Sequence, residues 1–178
     1  MNKLSILAAT AAALLINGFA PTPPASAETG AVLYATGGGK LAAIDLTGLH
    51  VRNAPRHVEM VAHVRDLTDA GRFTFYMSDP SFEGVFGLNV EVRQRGDGTV
   101  VTHFREWGDG WSAARACPDA TVRWAEGRDL IRLGFPQGCF HGGLQDQWRF
   151  TVHSRLHYGS NDRTERDHTH QHLVLQRG

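Results

Sequence analysis

From residue 47 to the end of the chain, apolar and polar residues alternate with a period of two, and no long segment sustains the 3.6-residue stripe of an amphipathic helix. Between Arg56 and Arg65, Val58, Met60, Ala62 and Val64 fall on one face and His57, Glu59, His63 and Arg65 on the other, the pattern of a half-buried strand. Phe73, Phe75 and Met77 repeat it, as do Phe86, Leu88, Val90 and Val92 after a Ser78-Asp79-Pro80 turn. Gly96-Asp97-Gly98 separates that run from Val100, Thr102 and Phe104, which predicts a β-hairpin whose glycines take the positive φ angles of the turn. A second hairpin is predicted between Val122, Trp124 and Ile131, Leu133, Phe135, joined through Glu126-Gly127-Arg128-Asp129. Trp148, Phe150, Val152, Leu156 and Tyr158 alternate with polar residues, and a last strand is predicted from about His168 to Gln176. About seven to nine short strands with polar turns predict an all-β fold, a sandwich of two packed antiparallel sheets. Residues 28–40, with Gly37-Gly38-Gly39, read as a flexible lead-in or a loose first strand, and 41–178 as a single β-sandwich domain.

The N-terminus is of another kind. Lys3 precedes an apolar run, Leu4 to Ile16, that is too short to span a bilayer comfortably. Pro21, Pro23 and Pro24 follow, and then Ala25-Ser26-Ala27, a small-x-small site. This predicts a signal peptide over 1–27, cleavage between Ala27 and Glu28, and a secreted, extracellular product with no membrane partner after cleavage. Lys plus Arg equals Asp plus Glu at 18 each, so net charge gives no reason to expect nucleic acid as a partner at neutral pH. Ten histidines would make the protein cationic in acid.

The two cysteines, Cys117 and Cys139, bracket the second hairpin and are bound for an oxidising compartment, which predicts a disulfide closing the hairpin's open end. Neither has the Cys-x-x-Cys spacing of a redox pair.

Asp45-Leu46-x-x-Leu49-x-Val51-x-Asn53, Val58 to Leu67, Phe73-Thr74-Phe75-Tyr76-Met77 and Phe135-Pro136-x-x-Cys139 together resemble uncharacterised secreted β-sandwich proteins of actinobacteria. The resemblance covers most of the chain beyond the leader, rests on patterned hydrophobics around one Pro and one Cys, and implies no activity or catalytic residues. More remotely the layout is similar to DOMON-like and carbohydrate-binding sandwiches, a likeness of architecture that does not dictate function. The histidines of the C-terminal strand depart from the pattern.

Those histidines are the sharpest chemical signal. His168, His170 and His172 lie two residues apart and share one strand face, opposite Leu173 and Leu175, while His153 and His157 face outward from the preceding strand. A register setting His157 against His168 and His153 against His172 would bring imidazoles within reach of a shared ion. With Asp167 or Glu165 nearby, such a set would suit zinc, copper or nickel. The competing readings are a polar face that happens to use His, and a pH-sensing face. No cofactor is otherwise implied.

Trp107 and Trp111 flank Gly108-Asp109-Gly110 in a predicted loop, where exposed indoles with Asp109 and Glu106 as acceptors would suit a sugar; alternatively both rings cap one end of the core. Arg95-Gly96-Asp97 matches an adhesion tripeptide but is accounted for by the hairpin turn, and Asp79, Glu83, Asp97 and Asp109 lack the spacing of a calcium loop. Glu91 and Glu106 are the carboxylates a glycosidase would need, although Glu91 has a simpler role as an outward strand residue. No nucleophile elbow, His-Glu-x-x-His motif or phosphate loop is present. The sequence therefore points to a secreted, non-catalytic binding or structural module for an extracellular ligand, with a His-rich outer face. The alternatives are a carbohydrate-binding module using Trp107 and Trp111, and a metal-dependent hydrolase using the histidines.

Overall fold

Period-two alternation becomes two rows of buried side chains facing each other across a sandwich. The computed structural model describes residues 27–33, 42–80, 86–140, 147–158, 163–168 and 172–177; among them the side chains of 157, 158 and 163–165 are left aside. The strands are β1 (Glu28–Leu33), β2 (Leu46–Asn53), β3 (His57–Val64), β4 (Arg72–Ser78), β5 (Gly87–Gln94) and β6 (Val100–Gly108), followed by β7 (Trp111–Arg115), β8 (Thr121–Ala125), β9 (Leu130–Pro136), β10 (Gln147–Tyr158), β11 (Arg163–His168) and β12 (Leu173–Gln176). One sheet has the order β1-β2-β3-β9-β8; the other runs β11-β10-β4-β5-β6-β7, with β12 also paired to β10, and every pairing is antiparallel. The described helical turns are short 3-10 segments, and no helix among the described residues is long and apolar enough to cross a membrane.

Val58, Met60 and Ala62 from the smaller sheet meet Phe73, Phe75, Val90, Val92, Phe150 and Val152 from the larger one in a single buried cluster. Aromatic contacts bridge the layers: Phe104 meets Phe135 edge-on at 5.7 Å between ring centroids, and Phe140 meets the fully buried Trp148 at 4.4 Å. Trp124 sits at the rim, edge-on to Phe73 with its indole N–H donated to the Thr68 carbonyl. A buried amide pair locks the layers at one end: Gln137 Nε2 donates to Asn53 Oδ1, and Asn53 Nδ2 donates to the Leu175 carbonyl in the opposite sheet. With an acceptor for each of these donors, the burial of Asn53 costs little.

Both predicted hairpins form, β5–β6 and β8–β9. Gly98 takes φ 82° in the first turn; in the second, Asp129 takes φ 53° and its carboxylate accepts the Leu67 N–H. The Cys117–Cys139 disulfide forms, with α-carbons 5.3 Å apart, where the chain passes from β7 in one sheet to β8 in the other.

More strands are present than alternation predicts. β7 is exposed at all five positions and so carries no buried stripe to read. Glu28–Leu33 pairs along its whole length with β2, while 34–41 and the leader up to Ser26 lie outside the described residues. The expected last strand is replaced by two. His168 pairs with His153 and Leu173 with Phe150, so the pairing register on β10 differs by two residues between the two segments. A mismatch of that size interrupts a ladder, and two strands, β11 and β12, take the place of one.

Candidate ligand-binding face

Residues that pair directly across neighbouring strands project on the same side, so the register of the larger sheet lays its outer side chains in rows. One row runs His168, His153, Thr74, Glu91, His103 across β11, β10, β4, β5 and β6. The next runs Arg166, Arg155, Arg72, Arg93. On the other side of the histidine row lie Thr151, Tyr76, Asn89, Arg105 and, on β7, Ala114.

The histidine row, with Arg155 and Arg166 on one side of it and Tyr76, Asn89 and Arg105 on the other, lines a cleft of about 1290 Å³ that reaches from Arg166 and His168 on β11 to Ala114 on β7 and on to Pro118; Arg72 and Arg93 continue the arginine row on the same face beside it. One space touching both margins of a sheet requires that its outer face be concave, through twist and coiling of the strands. The side chains at its centre, including Thr74, Tyr76, Asn89 and Glu91, are accordingly only partly exposed.

Counted over the described strand residues, this face carries six arginines, Arg72, Arg93, Arg105, Arg149, Arg155 and Arg166, and one carboxylate, Glu91. Glu91 Oε2 accepts from Arg72 Nη1 at 3.3 Å and from Arg155 Nη2 at 3.2 Å. A chain with no net charge thus concentrates positive charge on one concave surface.

The histidine register differs from the expected one. His153 opposes His168, with ring centroids 5.7 Å apart, and packs on Tyr76 at 4.5 Å. His157 opposes Thr164, four residues along β10 from His153 and so roughly 13 Å away, and its side chain is among those left aside. The expected register would set Leu173 against Val152; it meets Phe150 instead, and β11 is a further two residues displaced, which makes four in all. Burial first, and then the neighbouring His168 and His172, hold His153 below the ordinary histidine pKa. His170 lies outside the described residues. Asp167 accepts the Leu46 N–H at 2.9 Å, tying β11 to the smaller sheet. Among the described residues no group of three His, Cys, Asp or Glu side chains converges to hold a metal ion.

Trp107 and Trp111 stand on a hairpin, β6–β7, rather than a loop. Trp107 pairs with Ser112 on the outer face, donating its indole N–H to Asn89 Oδ1 at 2.8 Å, whereas Trp111 pairs with Gly108 and lies on the side of Phe104 and Glu106. The two rings are on opposite faces and make neither one sugar platform nor one cap; Asp109 is exposed in the turn between them. Glu91 and Glu106 are separated by the sheet in the same way: Glu106 is buried on the inner side and ion-paired to Arg115, so the two carboxylates do not flank a common cleft. Asp97 accepts the Thr99 N–H within its turn, and hydrogen bonds from Thr99 lower its pKa.

The arginine row escaped the sequence. Each arginine occupies an unremarkable outward position in its own strand, and only the pairing register aligns them. No protein-family model matches this chain, and no curated protein matches its sequence.

Proposed function

We propose that the chain is a secreted, non-catalytic binding module that seats an extended extracellular ligand on the concave outer face of its larger sheet. The observation that carries this is the cleft itself, which runs from one margin of the sheet to the other and is lined by guanidinium, amide, hydroxyl and imidazole groups. Such convergent polar groups in a concavity are what a ligand site requires. Glu91, the one carboxylate of the face among the described strand residues, is engaged by two arginines, an arrangement suited to holding a ligand rather than to acid–base work. The disulfide fits an oxidising compartment, and β1 begins at Glu28, the residue that leader cleavage would make the N-terminus. The resemblance to secreted sandwiches supports export and brings no activity with it.

The test is retention on a panel of immobilised polysaccharides by the wild-type chain and by Thr74→Trp, which places an indole at the centre of the cleft. Wild-type retention on at least one polymer, lost in a Thr74→Trp protein with an unchanged melting profile, is the expected result. Equal retention of both would put the ligand elsewhere and overturn the assignment.

His153 and His168, directly paired across β10 and β11 with ring centroids 5.7 Å apart, support a second use of the same face, as a site where two imidazoles share a metal ion. Calorimetric titration of zinc and copper at pH 7.5 tests it. Stoichiometric binding lost in His153→Ala and His168→Ala would establish a metal site, and weak heats shared by the variants would remove it.

A further inference from the structure

We propose that the ligand of this face is a linear polymer of carboxylate-bearing sugars, gripped by the row Arg72, Arg93, Arg155 and Arg166; this rests on the binding-face assignment above. Four adjacent strands each place an arginine at the same level, so the row crosses three strand spacings, roughly 14 Å, with Arg155 and Arg166 lining the cleft and Arg72 and Arg93 beside it on the same face.

Like charges directly opposite one another destabilise a sheet. Here three successive cross-strand pairs are Arg–Arg, and among the described residues of the adjoining histidine row Glu91 is the one carboxylate, shared by Arg72 and Arg155. The Nε–H groups of Arg93 and Arg155 are also buried without an acceptor, a further cost in the unliganded protein. A row that opposes folding is explained by what it binds, since local rules are broken chiefly at functional sites. An acidic polymer laid across the strands would meet one cation per strand, and guanidinium forks match the planar carboxylate in two-point hydrogen bonds.

The neighbouring groups select among polyanions. Thr74, Tyr76 and Asn89 offer neutral donors and acceptors suited to sugar hydroxyls beside the charged row. Nucleic acid would need several open aromatic faces for its bases. The cleft's Tyr76 already packs against His153, and Trp107 is held by Asn89. An acidic glycan is therefore the better fit.

Binding isotherms in low salt would use polygalacturonate, its carboxyl-reduced counterpart, polyphosphate and single-stranded DNA. The proteins are wild type, Arg93→Gln/Arg166→Gln, and a control of equal charge change on the smaller sheet, Arg123→Gln/Arg132→Gln. Polygalacturonate should bind the wild type, weaken about tenfold or more in the first double variant, and be unaffected in the control. The carboxyl-reduced polymer should not bind. Arg166→Gln alone, at an exposed edge position, should show a smaller loss in the same direction should the double variant fail to fold. Equal weakening in both doubles would reduce the effect to diffuse charge and overturn the proposal, as would preference for polyphosphate or DNA, or no binding of polygalacturonate. Binding of the reduced polymer that ignores Arg93 and Arg166 but is lost in Thr74→Trp would leave the binding face standing and overturn only its acidic ligand.

Discussion

Arg72 and Arg155 stand directly opposite each other on β4 and β10, and both donate to the same oxygen of Glu91. The carboxylate is thus what allows two guanidinium groups to face each other, with Arg93 and Arg166 continuing the line on either side.

Glu91→Gln should therefore cost more than the loss of a single surface ion pair. All three side chains keep appreciable solvent contact, so screening limits each bond to the low end of its range, and the variant should lose about 1–2 kcal/mol. Because repulsion among arginines is then unopposed, the melting-temperature gap to wild type should narrow as sodium chloride is raised. A gap that stays constant in salt would mean that Glu91 acts through packing and not through charge.

His153 gives the face a pH dependence of defined sign. Tyr76 packs on it from β4, His168 faces it from β11, His172 approaches ahead of β12, and Glu91 and Arg155 in the neighbourhood are engaged with each other. Its folded pKa lies below that of the unfolded chain, so as pH falls the unfolded state takes up the proton first. The stability associated with neutral His153 is complete above about pH 6.5, declines as pH drops through that value towards the folded pKa, and then levels off. His153→Asn should flatten the melting temperature between pH 7.5 and 5. A bound polyanion would favour the protonated ring, so affinity should rise in acid in wild type and not in His153→Asn. An unchanged pH slope in the variant would show that other groups dominate.

Strand existence was legible in the sequence where one face is buried. Val58, Met60, Ala62 and Val64, or Phe73, Phe75 and Met77, cannot be shifted by one residue without exposing the whole set. The same logic supplied both hairpins and, through their open end, the disulfide. Strands such as β7, exposed throughout, carry no such constraint. Register between strands was not legible: His168 stands opposite His153, four residues from the expected His157, half of the displacement lying in the pairing of β12 itself and half between β12 and β11. The site suffered most from this, because a row is a property of several strands at once. Arg72, Arg93, Arg155 and Arg166 are scattered over nearly a hundred residues of sequence and become neighbours only in the paired sheet.

Trp107 and Trp111 should respond differently to truncation. The Trp107 ring lies over Gly87, where an added β-carbon would come within 2.5 Å of the indole and 2.3 Å of the Met77 carbonyl oxygen. Gly87 is thus required for the ring to lie flat against the sheet. Gly87→Ala should destabilise by about 2 kcal/mol or more and Trp107→Ala by a comparable amount, while Trp111→Ala, at a 46% exposed edge position, should fall within about 0.5 kcal/mol of wild type. Denaturant titrations of the three variants give the ordering, and a Trp111→Ala loss as large as that of Trp107→Ala would contradict the opposed placement of the rings.

The disulfide should matter to the cleft as well as to the fold. Ala116, Cys117 and Pro118 form the cleft's wall beyond β7, and that wall is anchored through Cys139 to the 3-10 turn that follows β9. A bridge spanning 22 residues restricts the unfolded chain enough to contribute about 3 kcal/mol, so Cys117→Ala/Cys139→Ala should unfold at a correspondingly lower denaturant concentration. Without the anchor, the segment after β7 is held by an edge strand with no buried side chain. Ligand affinity measured under conditions where the double variant is still fully folded should therefore fall as well, because the binding free energy must now order the wall. Thiol titration of the unreduced wild-type protein should find no free thiol. Two reactive thiols would remove the bridge, and undiminished affinity in the folded double variant would show that the wall keeps its shape without it.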